Sequence, residues 1–317
     1  MESLLEVRNL RTYFSSLSGT TQAVDDVSLT VYSGGVLGLV GESACGKSTT
    51  ALSIMKLIPP NGKITSGQIL LKGDDLVPKT EAEMLKIRWN NIAIVFQGAM
   101  NALNPVQKVG DQIVESILVH REARKEEAMA KARRLLELVG INADRVNWYP
   151  HEFSGGMKQR VMIAMALACD PELVIADEPV TALDVMVQAQ ILDLIKRLRD
   201  ELGLSVLLIT HDLAVIAELC DNVAVMYAGK IAEYGSINSI YEHPQHPYTI
   251  GLMRAYPTIA GGRQSLWSIP GSPPSLINPK PGCRFAPRCS YATDLCRSED
   301  PPVVKTKFSL AACHYVK

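Results

Sequence analysis

The hydrophobic and polar positions of the first 235 residues follow two alternating patterns. Short apolar runs rich in β-branched residues predict strands, and longer stretches with helical spacing predict helices. The predicted strands lie at 4–7, 27–31, 36–40, 66–72, 92–96, 173–176 and 206–209. Helical spacing covers 47–58 and 187–202, and an amphipathic, charged pattern covers 109–139. Strands separated by helices predict an α/β fold with a mostly parallel sheet that is covered on both faces.

After about residue 235 the pattern changes, because prolines divide the chain into short pieces. These prolines are Pro244, Pro247, Pro257, Pro270, Pro273, Pro274, Pro279 and Pro281. Proline has no N–H to donate to a strand ladder and is excluded from helix interiors. We therefore expect the sheet to end before this region. The predicted domains are a large one at 1–235 and a small, loop-rich C-terminal module at 236–317.

Composition narrows the class of protein. The 317 residues carry 32 Lys and Arg against 33 Asp and Glu, so the net charge of -1 argues against a nucleic-acid partner held by a positive field. The longest unbroken apolar run, at 161–169, has nine residues, less than half of the roughly 20 that a membrane-spanning helix needs. The chain starts without a basic stretch followed by an apolar one, so we expect no secretory signal and a cytoplasmic protein.

A glycine-rich segment between a predicted strand and a predicted helix matches the phosphate-loop pattern G-x-x-x-x-G-K-[ST]. Its positions are Gly41, Glu42, Ser43, Ala44, Cys45, Gly46, Lys47, Ser48 and Thr49. The glycines let backbone N–H groups surround phosphate oxygens at a helix N-terminus. We expect this phosphate loop to bind ATP, with Lys47 on the β- and γ-phosphates and the Ser48 hydroxyl on Mg²⁺.

A second candidate for chemistry is the end of the predicted strand at 173–176, which is followed by Asp177 and Glu178. Ligands of parallel sheets lie at the carboxyl ends of the strands. We expect Asp177 to hold the Mg²⁺ shell. The adjacent Glu178 points to the other face, where it would orient and deprotonate an attacking water.

Between these two elements stands the sequence Phe-Ser-Gly-Gly-Met at 153–157, and here the chain resembles the ATP-binding cassette (ABC) family, whose signature reads Leu-Ser-Gly-Gly-Gln. The resemblance covers residues 1 to about 235. After the phosphate loop come, in the family's order, Gln97, the signature, Asp177 with Glu178, the segment Ala182, Leu183 and Asp184, and His211. Phe153 and Met157 depart from the usual letters. Ala44 replaces a frequent glycine, which is tolerable if that position needs no positive φ.

The resemblance implies a P-loop NTPase cassette with an antiparallel β subdomain and a helical signature subdomain at about 100–165. It also implies a role for each matching residue. Gln97 contacts Mg²⁺ and water and senses the transmembrane partner, and His211 touches the γ-phosphate. In this family two cassettes stack head to tail, so Ser154, Gly155 and Gly156 of one subunit complete the ATP site of the other. Asp184 couples the two sites. The adenine-stacking aromatic is Phe14 by spacing, with Tyr13 as the alternative.

Two features after residue 235 resemble the oligopeptide/dipeptide importer branch of the family. They are the histidine- and proline-containing segment at 243–255 and the cysteines near the C-terminus. The branch implies a second ATPase subunit, two transmembrane permease subunits and an extracytoplasmic binding protein, with this chain peripheral on the cytoplasmic face of the membrane. Relatives import dipeptides, longer peptides, nickel or oligosaccharides. A non-transport ABC ATPase is a further alternative, but such proteins usually carry two cassettes or a long inserted coiled coil.

The four C-terminal cysteines, Cys283, Cys289, Cys296 and Cys313, are spaced C-x5-C-x6-C-x16-C. Disulfides are disfavoured in a reducing cytoplasm. Structural zinc favours paired C-x2-C knuckles, which this spacing lacks. A [4Fe-4S] cluster takes four thiolates, and longer loops can enclose it. The spacing therefore favours a [4Fe-4S] cluster, with Zn²⁺ and unligated thiols as alternatives.

Overall fold

The computed structural model describes residues 2–98, 102–181, 183–255 and 268–316. Ala182 and Pro257, which the sequence patterns single out, lie outside these ranges. The chain forms two compact units. We call them the catalytic-strand unit (1–4, 31–36 and 78–209) and the phosphate-loop unit (5–30, 37–77 and 210–317). The predicted domain boundary near 235 stays a prediction.

The helices and strands follow the predicted alternation. The strands are β1 (Ser3–Ser16), β2 (Gly19–Tyr32), β3 (Val36–Val40), β4 (Gly62–Leu71), β5 (Asp74–Asp75), β6 (Ile92–Val95), β7 (Leu173–Asp177), β8 (Ser205–Thr210), β9 (Asn222–Tyr227), β10 (Lys230–Ser236), β11 (Val303–Lys305) and β12 (Ser309–Ala312). The α-helices are α1 (Lys47–Ile54), α2 (Glu81–Ile87), α3 (Val109–His120), α4 (Lys125–Leu138), α5 (Gly155–Ala166), α6 (Val185–Leu202), α7 (Leu213–Leu219), α8 (Ile237–Glu242), α9 (Pro247–Arg254) and α10 (Asp294–Ser298). Short 3₁₀ helices cover Ala143–Asn147, Pro150–Glu152 and Ala286–Arg288.

The catalytic-strand unit is built on parallel strands. β6 pairs with β7, and β7 pairs with β8, with Leu173 opposite both Ile92 and Ser205. Every residue of these strands is buried, as expected of parallel strands that are covered on both faces. The predicted mostly parallel α/β arrangement is confirmed.

The helices of the same unit form the helical subdomain. α3, α4 and α5 pack against one another, and α5 also packs on β6 and α6. α6 is amphipathic, with Ile191, Leu194 and Leu198 on its buried side. Among the helices that the structure describes, none combines the length and apolar character needed to cross a membrane.

The phosphate-loop unit contains the antiparallel sheet, in the order β2-β1-β4-β5. It also contains β3 paired in parallel with β9, and β9 paired antiparallel with β10. Leu37, Leu39 and Val40 of β3 are almost fully buried, so the strand that leads into the phosphate loop lies in the core.

The expectation that the sheet ends before the C-terminal module is wrong. β12 pairs antiparallel with β10, with Ala311 opposite Glu233, and β11 pairs with β12. Thr306 closes the β11–β12 turn by accepting hydrogen bonds from the N–H groups of Phe308 and Ser309 at 3.1 and 2.9 Å. The prolines interrupt the middle of the module, but the proline-free stretch at 303–312 forms a hairpin that adds to the sheet edge.

Candidate active site

The phosphate loop keeps its shape because two positions have no space for a side chain. Gly41 has a φ of +155°, and a Cβ on it would lie 2.0 Å from the Met226 carbonyl oxygen. Gly46 has a φ of +107°, and its Cβ would lie 2.2 Å from the carbonyl oxygen of Ala23. Gly46 is also the N-cap of α1, so the helix begins at Lys47 and its first N–H groups face the loop.

Ala44 adopts the left-handed conformation, with a φ of 62°. Alanine would be harmless only if this position needed no positive φ, and the structure shows that it does. A non-glycine residue in this region costs roughly 1–2 kcal/mol. The loop holds this strained backbone, as functional loops often do.

Lys47 is buried, and its ammonium is held by the loop itself. Nζ donates to the carbonyl oxygens of Gly41 at 2.8 Å and of Glu42 at 3.0 Å. Burial raises the pKa of the neighbouring Cys45 thiol, so it stays protonated and unreactive. Ser48 is exposed at the start of α1, and its role as a Mg²⁺ ligand stays a prediction.

At the end of β7 the structure brings two predicted residues together. Glu178 Oε2 accepts hydrogen bonds from Gln97 Nε2 and from Thr181 Oγ1, both at 2.9 Å. Asp177 is the last residue of the strand and is buried. Glu178 has a φ of 49°, in the left-handed region, so the backbone leaves the strand conformation directly after Asp177. Backbone strain of this kind gathers at functional sites.

Thr181 is a residue that sequence reasoning missed. Its hydroxyl and the Gln97 amide bind the same Glu178 oxygen, so together they fix the orientation of this carboxylate. The available signal was a threonine three positions after a strand-ending glutamate, which by itself is too common to be informative.

The signature residues begin a helix, as the resemblance implies. Ser154 is the N-cap of α5, and its Oγ accepts from the Met157 N–H at 3.4 Å. A Cβ on Gly156 would lie 2.4 Å from Val187 Cγ1, so glycine allows α5 to pack closely on α6. Phe153 is buried, with its ring centroid 5.9 Å from that of Trp148.

Asp184 lies at the start of a helix, and His211 lies at the end of a strand. Asp184 caps α6, with Oδ1 accepting from the Val187 N–H at 3.0 Å. His211 directly follows β8 and is exposed. Both placements suit the implied roles, which stay predictions.

Of the two aromatic candidates for adenine, Tyr13 is already engaged. Its hydroxyl donates to Asp25 Oδ1 at 2.8 Å, and burial together with this carboxylate raises the pKa of Tyr13 to about 12. Phe14 is half-buried, and its ring lies against Gly62, where a Cβ would come within 2.5 Å of it. Phe14 stays the preferred choice.

The four-cysteine site (Cys283, Cys289, Cys296 and Cys313) is brought together around one cavity of about 20 Å³. Burial, with a smaller contribution from the neighbouring Cys313 and Cys289, outweighs backbone hydrogen bonds that act in the opposite sense and raises the pKa of the Cys283 thiol to about 11. All seven cysteines are free thiols, with Cys169 and Cys220 buried as expected of core residues. Four thiols suit iron or zinc, but within the described ranges no group of three or more His, Cys, Asp or Glu residues is arranged to hold a metal ion.

Family models match both parts of the chain. Residues 24–181 match the model described as ABC transporter, and residues 232–296 match the one described as Oligopeptide/dipeptide transporter, C-terminal region. The chain is 50% identical to the oligopeptide transport ATP-binding protein OppD of Bacillus subtilis over 318 residues, covering 99% of this chain and 88% of that protein. It is 44% identical to OppD of Escherichia coli, covering 98% of this chain and 93% of that protein.

Solved structures give the same picture of the fold. The ATP-binding cassette MJ0796, a dimer in a post-hydrolysis state bound to ADP and Pi, matches with a TM-score of 0.66 and 28% identity, covering 74% of this chain and 98% of that one. CbiO1 of Clostridium perfringens, part of an ABC transporter complex, matches with a TM-score of 0.67 and 27% identity, covering 77% and 92%. Fold, phosphate loop and strand-end carboxylates thus define an ATP-hydrolysing cassette of the ABC type. The chain belongs to the family of oligopeptide and dipeptide transport ATP-binding proteins.

Proposed function

We propose that this chain is the ATP-hydrolysing motor subunit of an ABC importer for oligopeptides or dipeptides. The observation that carries the proposal is the Glu178 carboxylate, which Gln97 and Thr181 hold at 2.9 Å at the end of β7. Such a carboxylate, in a chain that also has an intact phosphate loop, supports hydrolysis rather than nucleotide binding alone.

The residues divide the work of hydrolysis. The N–H groups of the phosphate loop and the Lys47 ammonium would bind the phosphates, and Ser48, Asp177 and Gln97 would hold Mg²⁺. When bound, Mg²⁺ offsets the charge that develops on the transferred phosphoryl group. Glu178 accepts a hydrogen bond from the attacking water, orients it, and takes its proton. His211 contacts the γ-phosphate, and Phe14 stacks on adenine.

The mechanical step needs a second subunit. Ser154, Gly155 and Gly156 of one cassette complete the site of the other, and Asp184 couples the two sites. The exposed Ser154 at the N-terminus of α5 supports this role, since helix N-termini bind anions. Two permease subunits and an extracytoplasmic binding protein supply the path and the cargo, and the chain works at the cytoplasmic face of the membrane. The second cassette is either an identical chain, which gives a homodimer, or a paralogue, which gives a heterodimer.

The cargo is tested by uptake. Deleting the gene should abolish uptake of labelled dipeptides or oligopeptides, and wild-type protein should restore it while Lys47→Ala should not. As a control, Lys63→Ala replaces an exposed lysine of β4 and should restore uptake fully. Loss of nickel or oligosaccharide uptake with normal peptide uptake would reassign the cargo. Normal uptake of all three would argue for a non-transport ATPase.

We further propose that the four-cysteine site holds a [4Fe-4S] cluster. The proposal rests on the presence and spacing of four free thiols beside one small cavity. The described residues hold no group already arranged around a metal ion, so the loops would have to rearrange around the cluster. The cluster would cross-link the loops around it, since this segment is too small to build a core of its own. Anaerobic purification should give a brown protein with equal amounts of iron and sulfide. Zinc without sulfide would assign the site to Zn²⁺, and neither metal would leave unligated thiols.

A further inference from the structure

The phosphate loop carries a negative charge of its own at its second position. Glu42 lies between Gly41 and Ser43, in a loop whose backbone N–H groups are suited to bind anions. A carboxylate in such a loop opposes an incoming polyphosphate unless a positive charge compensates it. The positive charge that compensates Glu42 belongs to a residue 246 positions further along the chain.

Arg288 of the C-terminal module pairs with this carboxylate. Its Nη1 donates to both Glu42 oxygens, at 2.8 and 3.0 Å. The arginine side chain is 6% exposed, so the pair is shielded from bulk solvent more than a surface salt bridge is. Nε and Nη2 donate to the carbonyl oxygens of Pro270 and Ile269, at 2.8 and 3.2 Å, which fixes the guanidinium in place.

Tyr248 binds the backbone of the same loop residue. Its hydroxyl accepts a hydrogen bond from the Glu42 N–H at 3.1 Å. The side chain is fully buried, and its ring lies 4.6 Å from the Tyr227 ring and 5.5 Å from the Phe285 ring. Arg288 also donates to the Tyr227 hydroxyl at 3.2 Å. The two residues that contact Glu42, Arg288 and Tyr248, are therefore both in contact with Tyr227.

Glu42 also contacts Lys47, so the residues that fix Glu42 act indirectly on Lys47. The Glu42 carbonyl oxygen accepts from Lys47 Nζ at 3.0 Å, while its carboxylate and N–H are held by Arg288 and Tyr248. We propose that Arg288 and Tyr248 are positioning residues for ATP. Arg288 neutralises the Glu42 carboxylate, Tyr248 fixes the Glu42 backbone, and together they hold the part of the phosphate loop that binds Lys47. This inference rests on the proposed ATP-binding function.

The test is a double-mutant cycle on ATP binding and turnover. We expect Arg288→Ala to raise the Kd and KM for ATP about tenfold because it leaves the Glu42 charge uncompensated. kcat should stay within about twofold, since the contact acts on binding. Glu42→Gln should raise Kd by about twofold. In the double variant Kd should fall back to within about threefold of wild type, whereas independent effects would multiply to about twentyfold.

Conservative variants and a matched control separate positioning from folding. Arg288→Lys keeps the charge and should stay within about threefold of wild type, and Tyr248→Phe should raise Kd about threefold. Arg297→Ala removes an arginine of the same module whose side chain is 61% exposed, and should leave Kd unchanged. The melting temperature is measured for each variant, and Arg288→Gln replaces Arg288→Ala in the cycle if the latter does not fold.

The outcomes distinguish this inference from the proposed function. Wild-type protein that binds no ATP would refute the function. Wild-type protein that binds ATP, with a folded Arg288 variant of the same affinity or with multiplicative effects in the cycle, would refute only the positioning role. A tenfold loss that Glu42→Gln reverses supports it.

Discussion

The phosphate loop and the C-terminal module lie in the same compact unit but are held in shape by different means. The path of the loop depends on two glycines within the motif itself, Gly41 and Gly46, whose positive φ allows a close approach to carbonyl groups. The module adds contacts to the loop at Glu42. The module depends on contacts between distant parts of the chain. Arg284 pairs with Asp25 at 2.6 Å, and β12 pairs with β10. A local motif leaves a compact signal in the sequence, whereas long-range anchoring leaves almost none.

The largest loss of unfolding free energy is expected when the contact that anchors the C-terminal module is removed. Arg284 has a side chain that is 6% exposed and donates to Asp25 and to Gln22 Oε1, both at 2.6 Å. Arg284→Met removes this partner, while Asp25 keeps Lys230 at 3.4 Å and the Tyr13 hydroxyl at 2.8 Å. Loss of one member of a buried pair costs about 3–5 kcal/mol when the remaining charge has no other partner, so we expect the lower end of this range. Urea denaturation should show this loss, whereas Arg297→Met at an exposed position should stay within about 0.5 kcal/mol. Equal effects of the two variants would contradict the anchoring role.

The next largest effect is expected when the backbone of the phosphate loop is distorted. Gly46→Ala places a Cβ 2.2 Å from the Ala23 carbonyl oxygen, so the backbone has to shift. We expect a loss of about 3 kcal/mol from overpacking and the positive φ, and a large loss of ATP affinity. Gly73→Ala is the matched control, because Gly73 also has a positive φ but has open space around it. It should cost about 1 kcal/mol and leave ATP binding intact. A fully active Gly46→Ala variant would show that the loop geometry is not required.

A smaller effect sharpens the account of the loop. Ala44→Gly removes the strain of a φ of 62° but increases the entropy of the unfolded chain. The two terms oppose each other, so a net gain of about 0.5–1 kcal/mol in unfolding free energy is expected. Thermal denaturation measures this gain, and a loss of stability would mean that the alanine methyl makes a favourable contact.

The smallest effect concerns pH. Burial alone would raise the pKa of Asp25, but the Tyr13 hydrogen bond and the charges of Lys230 and Arg284 outweigh it and lower the pKa below its ordinary value of 3.8. Its stabilising contribution is therefore complete above that value and is lost as the pH falls through the lowered pKa. Unfolding free energies of wild type and Asp25→Asn should converge as the pH falls below 3.8. A constant difference would contradict the lowered pKa.

The same contrast explains how far the sequence could be interpreted. The periodicity predicted β3, α1 and β7 within a few residues, and the motif order predicted that Gln97 and Glu178 serve one site. The β11–β12 hairpin was missed because the prolines around it dominate the pattern. Arg288 was missed because a pair between residues 246 positions apart has no spacing rule. The positive φ of Ala44 follows from the closed loop and not from alanine itself.

The most direct test of the central claim is ATP turnover and ATP binding of Glu178→Gln. Loss of a general base lowers turnover by about 10²–10⁴-fold, while the affinity for ATP should stay within about threefold of wild type. Glu172→Gln, which changes the carboxylate just before the opposite end of β7, should keep normal turnover. The account predicts bound, unhydrolysed ATP in Glu178→Gln. A variant that retains most of the wild-type turnover would contradict it.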